Sequence, residues 1–324
     1  LAIFSASEFK VDYFLNGAVS IFYLPVELDS VGSEKDFYLH YLIEQVLQNY
    51  PNLPAIDEQS LKLTSLIQKI SNTDATVLIN GPTGTGKEVV SNLIHHFSDR
   101  ADKAFVAVNC AAIPDQMLES MLFGHEKGAF TGAVQPNEGL LRAANEGTVL
   151  LDEISEMPLA LQAKLLRVIQ EKKVMPIGSS KEVSVDVRIV ATTNRDMAEE
   201  VREGKFREDL YYRLNVFPIN TLRLIDRNSD IPAIVANILY SMDKDKEEKV
   251  KISAQVFEKL MEYNWPGNVR ELYNVVQRAT ILCEKNTICV SDLIFDDFDK
   301  SKSTNTAEAL AAKFRTTKSS EMVL

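Results

Sequence analysis

The stretch Thr76-Val77-Leu78-Ile79-Asn80-Gly81-Pro82-Thr83-Gly84-Thr85-Gly86-Lys87-Glu88-Val89-Val90 decides the fold. A short apolar run of the kind a buried strand makes leads into a glycine-rich turn that matches the pattern G-x-x-x-x-G-K. After it, Val89, Val90, Leu93, Ile94 and Phe97 fall along one face of a helix. Strand, glycine turn and helix in that order make a phosphate-binding loop. The glycines let backbone N–H groups turn inward, and the helix directs its positive end at the phosphates. Gly81, Pro82, Thr83, Gly84, Thr85, Gly86, Lys87 and Glu88 are therefore the candidate nucleotide-binding residues, with Lys87 reaching the β- and γ-phosphates. Glu88 stands where Ser or Thr commonly ligates magnesium, so a metal there would be held through water.

Working outward, residues 104–108, 148–151 and 185–190 are three more strand-like apolar runs, each ending in polar residues. Ligands sit at that end of the strands in open parallel sheets. Strand-like and helix-like segments alternate over 53–220, which predicts a parallel α/β core. The 148–151 run delivers Asp152 towards Mg2+, and Glu153 is placed to polarise the attacking water. Phosphoryl transfer also needs positive charge on the γ-phosphate at the transition state. Arg207 and Arg213 are the candidates. On one continuous helix, residues six apart point about 120° apart, so either the helix breaks or the two arginines do different jobs. The alternative is a surface salt-bridge face with Glu208 and Asp209.

Composition bounds the rest. A chain of 324 residues is long enough for more than one domain. Its 45% hydrophobic and 25% charged residues are ordinary globular usage, which excludes a wholly disordered or collagen-like chain. A net charge of −11 argues against a surface that grips nucleic acid all round. Cys110, Cys283 and Cys289 are too few and scattered for a disulfide framework or a zinc site. No run approaches the roughly 18 apolar residues of a membrane helix, and no signal peptide is recognisable. A cytoplasmic location follows as the expectation. The chain starts at Leu1 rather than Met, as a fragment does. Four regions separate: 1–52, an N-terminal extension; 53–220, the α/β subdomain; 221–298, mostly helical; and 299–324, a linker-like tail with one short helix at 307–314.

Several segments in a fixed order resemble the AAA+ ATPase domain of bacterial enhancer-binding proteins, the activators of sigma-54 RNA polymerase. The most specific is 119–133, which contains Gly128-Ala129-Phe130-Thr131-Gly132-Ala133. Others are Asp152-Glu153, Ala191-Thr192-Thr193-Asn194-Arg195, the stretch 206–214, and Trp265-Pro266-Gly267-Asn268-Val269-Arg270-Glu271-Leu272. The resemblance covers roughly 53–298 and implies an AAA+ P-loop ATPase with a parallel-sheet core and a small α-helical lid. It implies roles as well. Lys87 would be the Walker A lysine and Asp152 and Glu153 the Walker B acids. Asn109 would be the switch that holds the glutamate, and Asn194 the first sensor. Arg207 and Arg213 would be arginine fingers, and Arg270 the second sensor on the lid. ATP and Mg2+ would be bound between subunits of a hexameric or heptameric ring. Residues 128–133 would contact sigma-54 and remodel the closed promoter complex. Glu88 is usual in the family. Pro82 replaces a commoner acidic residue and Glu146 a glycine, and neither change removes a catalytic group.

The remaining residues read more plainly. Gly128 and Gly132 free the backbone on either side of Phe130. An aromatic at a loop tip is an interface anchor, and the alternative is a hairpin whose Phe130 packs into the core. Trp265 is expected to pack the lid against the core, His95 and His96 to lie at the surface or its boundary, and His125 to support the loop by hydrogen bonding. Cys110 is expected to be a packing residue. Asn16-Gly17-Ala18 and Phe22-Tyr23-Leu24-Pro25-Val26 are similar to the last strand and loop of a receiver domain, although Leu24 stands where a receiver carries lysine. No helix-turn-helix is visible, so promoter-upstream DNA would be reached through a domain missing from this chain. A remodelling ATPase with another protein client, or a nucleotide-binding scaffold without turnover, are the rival readings.

Overall fold

The computed structural model describes residues 2–5, 10–14, 19–24, 53–243 and 250–295. Near the chain start, β1 (Ala2–Ser5), β2 (Lys10–Phe14) and β3 (Val19–Leu24) form a sheet in the order β1-β3-β2. β1 runs parallel and β2 antiparallel to β3. The receiver-like Phe22-Tyr23-Leu24 forms the end of β3. The short helix expected at 307–314 lies outside the described residues.

One compact unit covers Glu58–Arg223. In order it contains α1 (Glu58–Ser71), β4 (Val77–Asn80), α2 (Lys87–His96), β5 (Phe105–Asn109), α3 (Asp115–Phe123), α4 (Leu140–Ala143) and β6 (Thr148–Asp152). It continues with α5 (Leu159–Glu171), β7 (Lys173–Val174), β8 (Val183–Ser184), β9 (Arg188–Thr193), α6 (Met197–Arg202), α7 (Glu208–Leu214) and β10 (Phe217–Asn220). Five of these strands pair in parallel in the order β10-β4-β9-β6-β5.

Successive strand residues face opposite sides of the sheet, and the core shows it. Val77, Ile79, Leu150, Val190 and Ile219 join Ile67 and Ile70 of α1 and Val90, Leu93 and Ile94 of α2. Leu78, Val149, Leu151, Ile189 and Ala191 join the other layer, with Leu122, Phe123, Leu161, Leu165, Leu210 and Leu214. Both faces are covered, which is why β4 and β6 read as continuous apolar runs.

Two expectations are corrected here, and one strand is added. The strand placed at 185–190 is Arg188–Thr193. Val185 and Val187 are buried but precede the ladder, while the wholly buried Thr192 and Thr193 extend it. β10 was not anticipated, because Pro218 removes a donor; a proline is tolerated there because β10 is an edge strand. His95 is buried rather than superficial. Lys87, Ser91 and His95 fall at i, i+4 and i+8 and form a polar buried stripe on α2 that apolar patterning misses. The His95 Nδ1 lies 2.9 Å from Thr148 Oγ1, and its ring tilts on Phe105 at 5.2 Å. Arg188, 2% exposed, donates to Ser71 O and Ile70 O at 2.9 and 3.0 Å and so caps the end of α1.

The second unit holds the described residues 224–243 and 250–295, together with Pro54–Asp57. Its elements are α8 (Ile231–Asp243), β11 (Lys251–Ile252), α9 (Ala254–Glu262), α10 (Asn268–Leu282) and β12 (Thr287–Ile288). The buried Asp230 Oδ1 accepts the N–H groups of Ile56 and Asp57 at 2.6 and 2.7 Å. Trp265 lies in this unit's own core. It is 1% exposed, meets Tyr263 edge-on at 5.0 Å and donates Nε1–H to Leu260 O at 2.8 Å. Among the described residues no helix is long and apolar enough to cross a membrane.

Candidate functional site

The glycine turn links β4 to α2. Gly84 and Gly86 take φ of 79° and 98°, a region open to glycine at little cost. The Gly86 carbonyl accepts Val90 N–H at 3.1 Å and starts the helix. Gly81 N–H donates to Thr193 O at 3.2 Å, which ties the turn to the end of β9. A Cβ on Gly81 would lie 1.9 Å from Thr221 Oγ1, so only glycine fits. That hydroxyl is paired with Thr85 Oγ1 at 2.7 Å. Lys87 is buried in the curl of the turn. Its Nζ donates to Gly81 O at 2.9 Å and Pro82 O at 3.4 Å, and it stands 3.8 Å from Glu153 Oε1. Pro82, Thr83 and Glu88 are exposed around it.

The acids come from β6. Asp152 and Asn109 are register partners on β6 and β5. The Asn109 side chain donates to Asp152 Oδ2 at 2.8 Å and accepts the N–H groups of Ala111 and Ala112. The resemblance implied that Asn109 holds the glutamate; here it bonds the aspartate, because strand pairing sets those two side by side. Glu153 turns away in a left-handed conformation, φ 52°, towards Lys87. Its Oε2 is buried without a hydrogen-bond partner. Thr192 serves both acids: its hydroxyl donates to Asp152 Oδ1 at 2.5 Å and accepts Glu153 N–H at 3.2 Å. Sequence reasoning missed Thr192. The available signal was a hydroxyl inside a buried strand, where a polar group needs partners. The Cys110 thiol is pushed up to about 12 by burial, with Asp152 and Glu153 adding to the effect, and is no nucleophile.

Asn194, just beyond β9, donates to Thr83 Oγ1 at 3.2 Å. Arg207 is the N-cap of α7, with φ −75° and ψ 131°, and Arg213 lies in the last turn. The helix therefore starts after Arg207, and the two arginines do not share one helical face. The Arg207 guanidinium pairs with Asp209 through two contacts, at 3.0 and 2.7 Å. Its backbone N–H donates to Gln162 Oε1 at 2.8 Å. Arg270 is exposed in the first turn of α10, in the second unit.

The loop containing residues 128–133 rises from a pinched base. A Cβ on Gly124 would meet Asn137 O and Glu138 O at 2.5 Å, and one on Gly139 would meet Gly124 N at 2.4 Å. His125 and Asn137 exchange backbone hydrogen bonds of 2.9 Å. The tip is closed by Gly128 N–H to Ala133 O at 2.8 Å and Ala133 N–H to Phe130 O at 3.0 Å, while Gly128 and Gly132 take φ of 80° and 104°. Phe130 is 45% exposed and rests edge-on against His125 at 5.0 Å, outside the core. Thr131 and Gly132 are exposed, Ala129 is half-buried and Ala133 buried. His125 is itself held by Ser120 Oγ at 2.7 Å and Gln135 O at 3.0 Å. The segment between β7 and β8 joins this loop: Glu126 N–H donates to Ile177 O and Ile177 N–H to Gly124 O, both at 2.9 Å. That segment also escaped the sequence reading, although Pro176-Ile177-Gly178-Ser179-Ser180 carries a turn signature.

Residues 54–220 match the sigma-54 interaction domain family, and residues 225–310 match the AAA+ ATPase lid domain. Response regulator protein FleR of Pseudomonas aeruginosa is 50% identical over 240 residues, 74% of this chain and 51% of that protein. The Nif-specific regulatory protein of Klebsiella pneumoniae is 47% identical over 251 residues, 78% of this chain and 47% of that protein. The chain spans about half the length of the curated relatives it matches. NtrX from Brucella abortus, solved in complex with ATP, is 29% identical with a TM-score of 0.70, over 93% of this chain and 70% of that one. With its glycine turn, paired acids and parallel sheet, the chain belongs to the sigma-54 interaction domain family, an AAA+ P-loop ATPase fold followed by a helical lid.

Proposed function

We propose that the chain is the ATP-hydrolysing core of a sigma-54-dependent transcriptional activator, acting in the cytoplasm on the closed polymerase–promoter complex. The observation that carries this reading is the exposed Phe130 tip, built on the same unit as the Lys87–Glu153 site. Lys87 and the N–H groups of residues 81–88 bind the phosphates, and Arg270 senses the nucleotide from the lid. Glu153 takes the proton of the attacking water, Asn194 senses the γ-phosphate, and Asn109 changes partner with nucleotide state. Among the described residues no three His, Cys, Asp or Glu side chains converge. A metal here therefore needs phosphate oxygens beside Asp152, directly or through water, and the hard oxygen donors suit Mg2+. Bound there, Mg2+ would neutralise developing charge on the phosphates.

Arg207 and Arg213 reach the neighbouring subunit's nucleotide in a hexameric or heptameric ring. Residues 128–133 engage sigma-54, with Phe130 as the anchor. Upstream DNA is reached through a part of the protein other than the residues described. The test is capture of sigma-54 in the presence of ADP and aluminium fluoride, read on a native gel. Wild type should shift sigma-54, and Phe130→Ala should not while still hydrolysing ATP. Lys87→Ala should lose ATP binding, Glu153→Ala should bind without turnover, and Thr131→Ala should hydrolyse without activating transcription. Hydrolysis by wild-type rings with no sigma-54 complex would move the function to another protein client.

A further inference from the structure

Gln162 is 0% exposed on α5, the helix that follows the Asp152-Glu153 acids. All its amide groups are engaged. Nε2 donates to Met157 O at 2.7 Å and to Lys205 O at 3.1 Å, and Oε1 accepts Arg207 N–H at 2.8 Å. A buried amide with every group satisfied defines local geometry tightly, since losing one partner strands the others. Two of its three partners bracket Phe206, itself 2% exposed, and hold the chain where α7 begins. The third closes the turn that starts at Glu153 and runs through Ile154–Glu156 to Met157. One side chain thus joins the loop after the subunit's own acids to the residue that caps α7.

We propose that Gln162 is a positioning residue for Arg207, setting the guanidinium that this subunit presents to its neighbour's nucleotide. The proposal rests on the reading that Arg207 acts across the subunit boundary. Gln162 does not touch nucleotide. It fixes the backbone from which Arg207 projects and transmits displacement of the 153–157 turn to it. A subunit lacking the amide keeps its own phosphate loop and acids but offers a misplaced arginine.

The experiment is a mixing test on the full chain. Gln162→Met, close in shape and without polar atoms, should bind a fluorescent ATP analogue as wild type does and lose about tenfold or more in turnover, as misplacement of a catalytic group by about 1 Å does. Glu153→Gln supplies the complementary defect: a silent site with intact arginines. In a 1:1 mixture assembled at random, about a quarter of the head-to-tail contacts pair an intact site with an intact arginine. Turnover should therefore recover to about a quarter of wild type. Arg207→Ala mixed with Glu153→Gln is the reference. Recovery with Arg207→Ala but none with Gln162→Met overturns the proposal and leaves the ATPase reading standing. Wild-type turnover by Gln162→Met also overturns it. Recovery with neither variant refutes Arg207 as a residue acting in trans and takes the proposal with it. If Gln162→Met does not fold, Gln162→Glu, which keeps the acceptor for Arg207 N–H and loses both donors, goes through the same mixture.

Discussion

Replacing Thr192 by valine tests whether one hydroxyl holds both acids. The side chain is wholly buried, and valine has nearly its shape, so no cavity opens. What is lost is the 2.5 Å donation to Asp152 Oδ1 and the acceptor for Glu153 N–H. A hydrogen bond to a charged group contributes about 1.5–3 kcal/mol, and the stranded N–H of the half-buried Glu153 costs about 1 kcal/mol, the low end for a buried donor. Stability should fall by about 3 kcal/mol, measured by urea unfolding. The functional effect is separable. Lys87 and the glycine turn are untouched, so KM for ATP should stay within about threefold. Glu153, freed from its anchored left-handed turn, should lose its aim, and kcat should fall about 10–100-fold. The Mg2+ concentration for half-maximal turnover should rise, because Asp152 then keeps only Asn109. Phosphate release against ATP and against Mg2+ gives all three values, and Thr192→Ser should restore them. Wild-type kcat and Mg2+ dependence in a folded Thr192→Val protein would refute the reasoning.

Three further outcomes follow from the geometry. Burial holds the His95 imidazole below its ordinary 6.5; a backbone hydrogen bond at Lys103 opposes it, while the nearby His96 and Arg188 add to the lowering. The unfolded chain then takes up the proton more readily, so stability is full above about pH 6.5 and declines as pH falls below it; His95→Gln should flatten urea midpoints measured between those conditions. Cys289 is exposed and Cys110 buried with its thiol near 12. Iodoacetamide at mildly alkaline pH should label Cys289 in the native protein and reach Cys110 only after denaturation, as peptide mass mapping will show. Gly139→Ala puts a Cβ 2.4 Å from Gly124 N at a φ of 82°. It should lower the thermal midpoint and abolish sigma-54 capture, with ATP turnover kept within about threefold.

The parts of the fold that were legible in sequence were those where one physical demand dominates. A strand buried on both faces must be apolar, and a turn around phosphate must be glycine-rich, so β4, β6 and the 81–87 turn stood out. The elements that were missed have mixed demands. β10 carries a proline that only an edge strand accepts, and His95 is polar yet buried because Thr148 meets it. The acids, the arginines and the loop were named from motif and resemblance, but their connections were not legible. Thr192 and Gln162 act through side-chain hydrogen bonds, most of them to residues about 40 positions away, for which sequence carries no periodic signal. Glu146 shows the reverse: its φ of 65° explains why a glycine suits that position, a fact visible only in the backbone.

The two glycines at the foot of the 125–137 loop divide it by what it tolerates. At the foot, any side chain collides with backbone, so the sequence there is frozen by space. At the tip, a Cβ on Gly128 or Gly132 would meet nothing within 4 Å; the constraint there is conformational only. Tip residues such as Phe130 and Thr131 can therefore be exchanged without redesigning the mount. On the proposed reading of this loop as the sigma-54 contact, its recognition chemistry is open to change and its mount is not: substitutions at the tip alone would alter the client.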